Sequence, residues 1–561
     1  MKPARSLLPV VTVGLLGALP YLPSLSGDFV NYDDPYLVQR NRVLTEGRLT
    51  DLFDPTSGRE ALGSEFLPLR DLSWALELRL LGAQVPLGPR EAQVLRTTNA
   101  LLYGLACALA FAFLWRLFEA PRGPERSRAA WWAAAAFALH PVHAESVAWI
   151  SGRKDVLAAV FVFATLLAYL RARAAPRSVL WLELCALLAA CACLSKSTST
   201  ALPFLLLAVE VLDPGARRDP WSRRLLRIAP TFLVCAAAAT LAAWVGRATG
   251  VGRGLDFVAL LARLPDLALK DLVVLRHYLV LSFAPVEVRI NHPTLLAALD
   301  PAGGLARHAA LAALALGPLA FLLLRSHRRL PRFAALWFLG GLLPVLNLIP
   351  FSQWVADRFL CLPVLGPCAL LAWVLVWLAR RRPRLAQTLA LSFLCVWGLR
   401  TGLRARDFRD SFALWEAQLR VEPGDPLAQE HLGRAYLRRG LEGRSRQDVE
   451  RAAQLLAESV RGFARARPTN PGHAFEAAFL LAQARAALGA PREALLAGLA
   501  AHEALLRPGA VLSPQQGAVR GAALARTLKL LANELERRGD PADRPLIERA
   551  RAALAALEPV R

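Results

Sequence analysis

The stretch FVNYDDPYLVQRN, residues 29–41, sets two adjacent carboxylates, Asp33 and Asp34, just beyond the first apolar run of the chain. Other charged or titratable residues cluster in a few short motifs. LHPVHAESVAWISGRKD carries His140, His143, Glu145, Arg153, Lys154 and Asp155. LSKSTS carries Lys196, and PFSQWVADR carries Asp357 and Arg358. A positioned carboxylate can take the proton of an attacking hydroxyl in a transition state. Arg or Lys can offset the negative charge that develops on a phosphate leaving group. A base and several cations at the ends of membrane helices therefore suit transfer from a lipid-linked phosphate lying at headgroup level. Each residue also has a plainer role. Asp33 can cap a helix, His140 and His143 can be hydrogen-bonded core histidines, and Arg153 and Lys154 can be anchoring charges. A divalent ion held by Asp33, Asp34, His140 and His143 stays open, although spacing alone does not bring these segments together.

The elements that must position these residues are membrane helices. The 561 residues are 55% hydrophobic, with mean hydropathy +0.36. The long apolar runs each approach the roughly 20 residues needed to cross a bilayer. Eleven spans are expected, near 7–23, 93–115, 130–148, 155–171, 179–194, 198–212, 226–246, 308–325, 333–350, 358–379 and 385–401. With the N-terminus inside, every second loop is strongly basic: RLFEAPRGPERSR, RARAAPR, RRDPWSRR, RSHRRLPR and RRRPR. The alternate loops carry the acidic residues, the histidines and Lys196. That alternation follows the positive-inside bias. It also accounts for the net charge of +23 without a basic folded face, so no nucleic-acid partner is expected. Only five Lys occur, and Lys154, Lys196 and Lys270 fall on the outer side. The eight Cys lie mostly within apolar runs and show no metal-ligand spacing, so they read as small buried residues. The basic flank and apolar run at the N-terminus read as an uncleaved first helix.

Two outer segments are long, 24–92 and 247–307. The first includes the amphipathic LRDLSWALELRLLG, which could lie flat on the membrane. The second includes an apolar stretch at 257–288 interrupted by Arg263, Asp266, Lys270, Asp271, Arg276 and His277. It reads as interfacial or packed against the bundle, because a lipid-exposed span would not carry those charges cheaply. After residue 401 the apolar runs stop. Residues 408–561 have helical periodicity, and HLGRAYLRRG at 431–440 has the Leu-Gly-x-x-Tyr spacing of a tetratricopeptide repeat. In 480–508, Gly489 marks an inter-helix turn and Pro508 closes the unit. The insert LEGRSRQDVE breaks the 34-residue period. The expected protein is all-α: a polytopic domain over 1–401, then a short helical-repeat domain over 408–561 on the side of Asp33.

YDDPYLVQRNRVL, LHPVHAESVAWISGRKDVLAAVF, LSKSTSTALPFLLLAVEVL and PFSQWVADRFLCLPVLG, followed by helical repeats, resemble the transmembrane and tetratricopeptide-repeat O-mannosyltransferase family and its bacterial relatives. The resemblance runs in order over most of residues 25–440. It implies a GT-C-like fold and a polyprenyl- or dolichyl-phosphate sugar donor. It implies that Asp33 is the base with Asp34 as its acidic neighbour, and that the repeats present acceptor protein. It implies no soluble nucleotide sugar and, in the mannosyltransferases proper, no metal; no cofactor is expected. Three positions depart from the family's usual residues: Leu67-Pro68-Leu69-Arg70 ahead of the amphipathic stretch, Leu95 and Arg96 before Asn99, and Ser197 after Lys196.

The function this suggests is transfer of a sugar, mannose first, to Ser or Thr hydroxyls of exported proteins. Arg153, Lys154, Lys196 or Arg358 would steady the donor phosphate. His140, His143, Glu145, Asp155 and Asp357 are further site candidates. The partners are the lipid bilayer, the lipid-linked donor and the acceptor protein. The rivals are a GT-C transferase acting on lipid A or an envelope glycan, a non-catalytic scaffold, and a transporter. The Ala- and Arg-rich usage suggests a bacterial cytoplasmic membrane, with loops and repeats facing the periplasm.

Overall fold

A computed structural model of the chain describes residues 7–55, 65–118, 124–174, 178–212, 219–248, 257–299, 304–325, 329–347, 353–465, 471–507 and 514–557. Parts of both long outer segments (56–64, 249–256 and 300–303), parts of four basic loops, the start of PFSQW and Pro508 lie outside these residues. Among the described residues every regular element is helical. The chain divides into two compact units. One runs to Asp410; the other takes the residues from Ser411 onward together with Asn291–Ala297 from the second long segment.

The first unit is a helix bundle. Five helices are long and apolar enough to cross a membrane: Leu8–Leu25, Pro89–Phe118, Ile150–Ala174, Ser178–Ser195 and Trp221–Arg247. They coincide with the expected spans near 7, 93, 155, 179 and 226. Ser197–Leu212, Leu305–Leu314 and Leu365–Ala379 are shorter apolar helices. Of the expected spans that are interrupted, two bear most on the site. The segment 130–148 is helical only from Pro124 to Ala138, turns at His140-Pro141, and resumes as the buried helix His143–Ala148. Pro141 has no N–H to continue the ladder, and a residue before proline is pushed away from helical geometry. The segment 358–379 likewise opens with one 3-10 turn, Asp357–Leu360, before the helix Leu365–Ala379. Both interruptions fall on the charged motifs.

Helix α1 (Leu8–Ala18) leads into the Asp33 motif. The amphipathic stretch forms α2 (Pro68–Leu80), with Trp74, Ala75 and Leu78 buried against Leu44, Leu52 and Ile150. This small core seats the loop carrying Asp33 and Asp34 over α3 (Pro89–Phe118). The charged stretch at 257–288 forms one helix, Phe257–Phe283, with Leu267, Val273, Val274 and Tyr278 buried. Some of its charges have partners: Lys270 pairs with Asp266 at 2.8 Å, and Asp271 accepts from the Asn347 backbone N–H at 3.0 Å.

The second unit stacks helical hairpins in chain order. Helix α4 (Ser411–Val421) packs on α5 (Pro426–Glu442), which pairs with α6 (Arg446–Arg465). Then α7 (Pro471–Ala487) pairs with α8 (Pro491–Leu505), and α9 (Pro514–Arg538) with α10 (Arg544–Leu557). Gly489 makes the turn between α7 and α8 with φ +77°, a left-handed conformation that glycine adopts at no steric cost. Asp425 caps α5 through the Leu427 N–H and also accepts from Asn291 and Gln418. That triple use of one carboxylate ties Asn291–Ala297 to this unit.

Helices α1 and α3 touch backbone to backbone. A Cβ on Gly104 would lie 2.9 Å from the Gly14 carbonyl oxygen, a close approach that small residues permit between membrane helices. Gly104→Val should therefore separate the two helices and cost about 1–3 kcal/mol. The check is a lowered apparent Tm of the detergent-solubilised chain. An unchanged Tm would contradict the packing.

Candidate active site

Asp33 and Asp34 are neighbours with different surroundings. Asp34 is fully buried and accepts three hydrogen bonds: from the Val30 N–H at 3.1 Å, the Ser151 N–H at 3.1 Å and the Ser151 hydroxyl at 2.6 Å. It staples the first loop to the turn that precedes helix Arg153–Ala174. Burial pushes its carboxyl up to about 6, against the pull of Ser151 and Arg96. Asp33 is only half-buried. Its Oδ1 accepts from the Tyr36 hydroxyl at 2.5 Å. Of the pair, Asp33 is the one a reacting hydroxyl could reach.

The cations gather close by. Arg358 is buried, and its Nη1 donates to Glu145 Oε1 while its backbone N–H reaches Glu145 Oε2 at 3.3 Å. Its Nη2 donates to Gln353. The guanidinium lies 5.6 Å from the centroids of both Trp149 and Phe359, and the Tyr32 ring packs on Trp149 at 5.3 Å. Burial opposes the charge on Arg358, but Glu145, Tyr32 and Asp33 together more than offset it and hold its pKa above the usual range. Asp33 is thus within electrostatic reach of Arg358.

Lys196 also lies near Phe359, 5.9 Å from that ring, and is paired with Asp155. Burial and the neighbouring Lys154 and Arg358 charges push the Lys196 ammonium down to about 7. Lys154 pairs with Glu65 at 2.6 Å, and Glu65 also accepts from the Ser197 hydroxyl at 3.1 Å. Burial works against the Glu65 charge, yet Lys154, Arg70 and Lys196 hold its carboxyl down at about 2. Lys154, Lys196 and Arg358 therefore form one cluster, with Glu65, Asp155 and Glu145 as their partners.

The remaining candidates point elsewhere. Arg153 is buried, and its donors go to Asn99, to Ser73, to Glu77 at 3.0 Å and to the Leu95 carbonyl at 2.9 Å. It ties α2 to α3. His140 packs on Trp397 at 4.1 Å, with Nε2 3.1 Å from the Ser282 carbonyl and Nδ1 accepting from the Val142 N–H at 3.3 Å. Both ring nitrogens already have backbone partners. His143 is enclosed by Phe137 and Tyr103, at 4.6 and 5.0 Å. Asp357 accepts from the Arg289 N–H at 2.7 Å and lies 3.4 Å from His277 Nε2.

Sequence reasoning did not single out Glu65, Tyr36, Ser151 or Gln353, and it noted Ser197 only as a departure from the family pattern. Tyr36 sits three residues after Asp33, so adjacency could have found it. Nothing in the sequence singles out Glu65.

Two curated relatives share sequence with the chain. Human Protein O-mannosyl-transferase TMTC4 is 28% identical over 217 residues, 36% of this chain and 29% of that protein. Its mouse counterpart is 29% identical over 174 residues, 29% of this chain and 23% of that protein. The matched stretch is less than a third of either relative's length. No family model matches the chain, and no solved structure matches it.

The environment of Asp34 predicts a pH dependence. A carboxyl whose pKa rises from 3.8 unfolded to about 6 folded stabilises the fold fully below the lower value. That contribution is lost as pH rises through the upper one. Relative to Asp34→Asn, the wild type should therefore be most stable near pH 4 and lose ground on the order of 3 kcal/mol by pH 7. Thermal unfolding of both proteins across that range tests this; a constant difference would contradict it.

Proposed function

We propose that this chain is a membrane glycosyltransferase that moves a sugar, mannose first, from a polyprenyl-phosphate donor to Ser or Thr hydroxyls of exported proteins. The observation that carries this reading is a half-exposed carboxylate, Asp33, within electrostatic reach of buried Arg358, which forms one cationic cluster with buried Lys196 and partly buried Lys154. The sequence shared with the human and mouse O-mannosyl-transferases supports it.

In this reading Asp33 accepts the proton of the acceptor hydroxyl as the oxygen attacks the anomeric carbon. The sugar–phosphate bond breaks on the opposite face, so the anomeric configuration inverts. Lys196 and Arg358 lie where a departing phosphate would relieve their mutual repulsion, and their charge stabilises the leaving group most as it separates. Tyr36 orients Asp33 through its 2.5 Å hydrogen bond. Asp34 holds the loop and takes no proton from the acceptor. Arg153 acts as a structural tie, since its donors are engaged by α2 and α3. The chemistry lies on the outer face of a bacterial cytoplasmic membrane. The helical hairpins from Ser411 onward recruit the acceptor polypeptide, as stacked helical repeats commonly do.

One observation favours a different reading. Lys154, Lys196 and Arg358 each already have a carboxylate partner, as they would in a non-catalytic scaffold. Transfer of radiolabelled mannose from a polyprenyl-phosphate donor to envelope proteins of a deletion strain separates the two. The wild type should transfer and Asp33→Asn should fall at least about a hundredfold, the scale of a lost general base. Equal transfer by both would remove Asp33 from the base role. No transfer by the wild type, from mannose or from a panel of other lipid-linked sugars, would favour the scaffold.

A further inference from the structure

A second cluster of chemistry-bearing side chains lies wholly within the helical-hairpin unit and plays no part in the proposed reaction. Glu430 and His431 are consecutive on α5, and His473 is the third residue of α7. Glu430 is completely buried, His431 is nearly so, and His473 is partly exposed. Three atoms converge. His473 Nδ1 is 3.0 Å from Glu430 Oε2, His431 Nε2 is 3.9 Å from the same oxygen, and all three lie within 4.8 Å of one another.

We propose that Glu430, His431 and His473 bind a divalent transition-metal ion, zinc by preference. Two imidazoles and one carboxylate are a ligand set that zinc takes, with bonds of about 2.0–2.2 Å. Tetrahedral bonds of that length put ligand atoms roughly 3.4 Å apart, so the separations here need only small side-chain adjustments. Nitrogen donors paired with one carboxylate favour zinc and its transition-metal neighbours over calcium or magnesium, which prefer all-oxygen shells.

The surroundings fix the ligands. Arg434 donates to Glu430 Oε1 at 2.6 Å, which leaves Oε2 as the oxygen facing the two imidazoles. The His431 ring stacks on buried Trp415, with centroids 4.4 Å apart and planes 5° apart. Outer contacts of this kind orient metal ligands and raise affinity. Glu476 takes Arg434 at 3.3 Å and Arg520 at 3.2 Å, so those two cations are balanced by Glu430 and Glu476 before any metal arrives. The partial exposure of His473 provides the entry path, and three protein ligands leave a fourth position for water.

The test uses the full chain, purified in detergent without a polyhistidine tag and stripped of metal with a chelator. Titration with cobalt(II) reports tetrahedral nitrogen–oxygen ligation by visible absorption, and zinc then competes against a chelating dye. The wild type should bind about one equivalent, and His473→Asn and Glu430→Gln should each weaken binding more than about a hundredfold, beyond the 10- to 100-fold typical of an outer-contact change. Far-ultraviolet circular dichroism confirms that the variants keep their helices. His473→Asn is the decisive variant, because a partly exposed residue at a helix start is the least disruptive to replace. Absence of binding by the wild type, or undiminished binding by folded His473→Asn, would overturn the site.

Discussion

A charge buried among apolar helices has to meet a partner, because breaking a buried pair by removing one side costs about 3–5 kcal/mol. The pair of Arg358 and Glu145 is where this constraint shapes the first unit most. Glu145 sits on the short helix that follows the His140-Pro141 turn, and Arg358 on the 3-10 turn that interrupts another apolar segment. Neither segment could present its charge inside the bundle as an unbroken membrane helix. Each breaks, turns inward and is held by the other. Trp149 and Phe359 then lie close to the guanidinium, and Phe359 also lies close to Lys196, which pairs with Asp155. The same logic continues outward to Lys154 and Glu65. Each of these cations is thus matched to a carboxylate, and Arg358 also lies within electrostatic reach of the half-exposed Asp33.

Much of this was legible in the sequence, and the part that was not has a physical reason. The long apolar helices follow from composition alone. Lys154 and Lys196 stood out because Lys is scarce in this chain and these two lie where the charge bias would not put them. Their partners could not be read, since Lys154 and Glu65 are 89 residues apart, Lys196 and Asp155 are 41 apart, and their meeting depends on the fold. Arg153 and Lys154 look equivalent as a sequence pair. On a helix, however, consecutive side chains diverge by about 100°, and the two contact different neighbours. Hydropathy read 130–148 as one span because averaging hides a single proline. Pro141 was the visible signal of the break.

The hairpin unit divides along the same line. Its helices were evident from periodicity, and Gly489 marked a turn that the structure places at φ +77°. The convergence of Glu430, His431 and His473 was not evident, because consecutive residues on one helix meet a third only through the packing of the next hairpin. The carboxylate of Asp425, shared by the α5 cap, Asn291 and Gln418, is a similar case. It draws a short piece of a distant loop into the unit, and no local pattern announces it.

The central claim is that Lys196 and Arg358 form the receptor for a lipid-linked phosphate beside a carboxylate that does not contribute to its binding. Equilibrium binding of a sugar-free polyprenyl phosphate to the detergent-solubilised chain tests it most directly, because it removes chemistry from the readout. Lys196→Met should weaken binding at least about tenfold, consistent with the loss of one charge-assisted contact, while Asp33→Asn should leave it unchanged or slightly tighter. Equal affinity in the wild type and Lys196→Met would contradict the account.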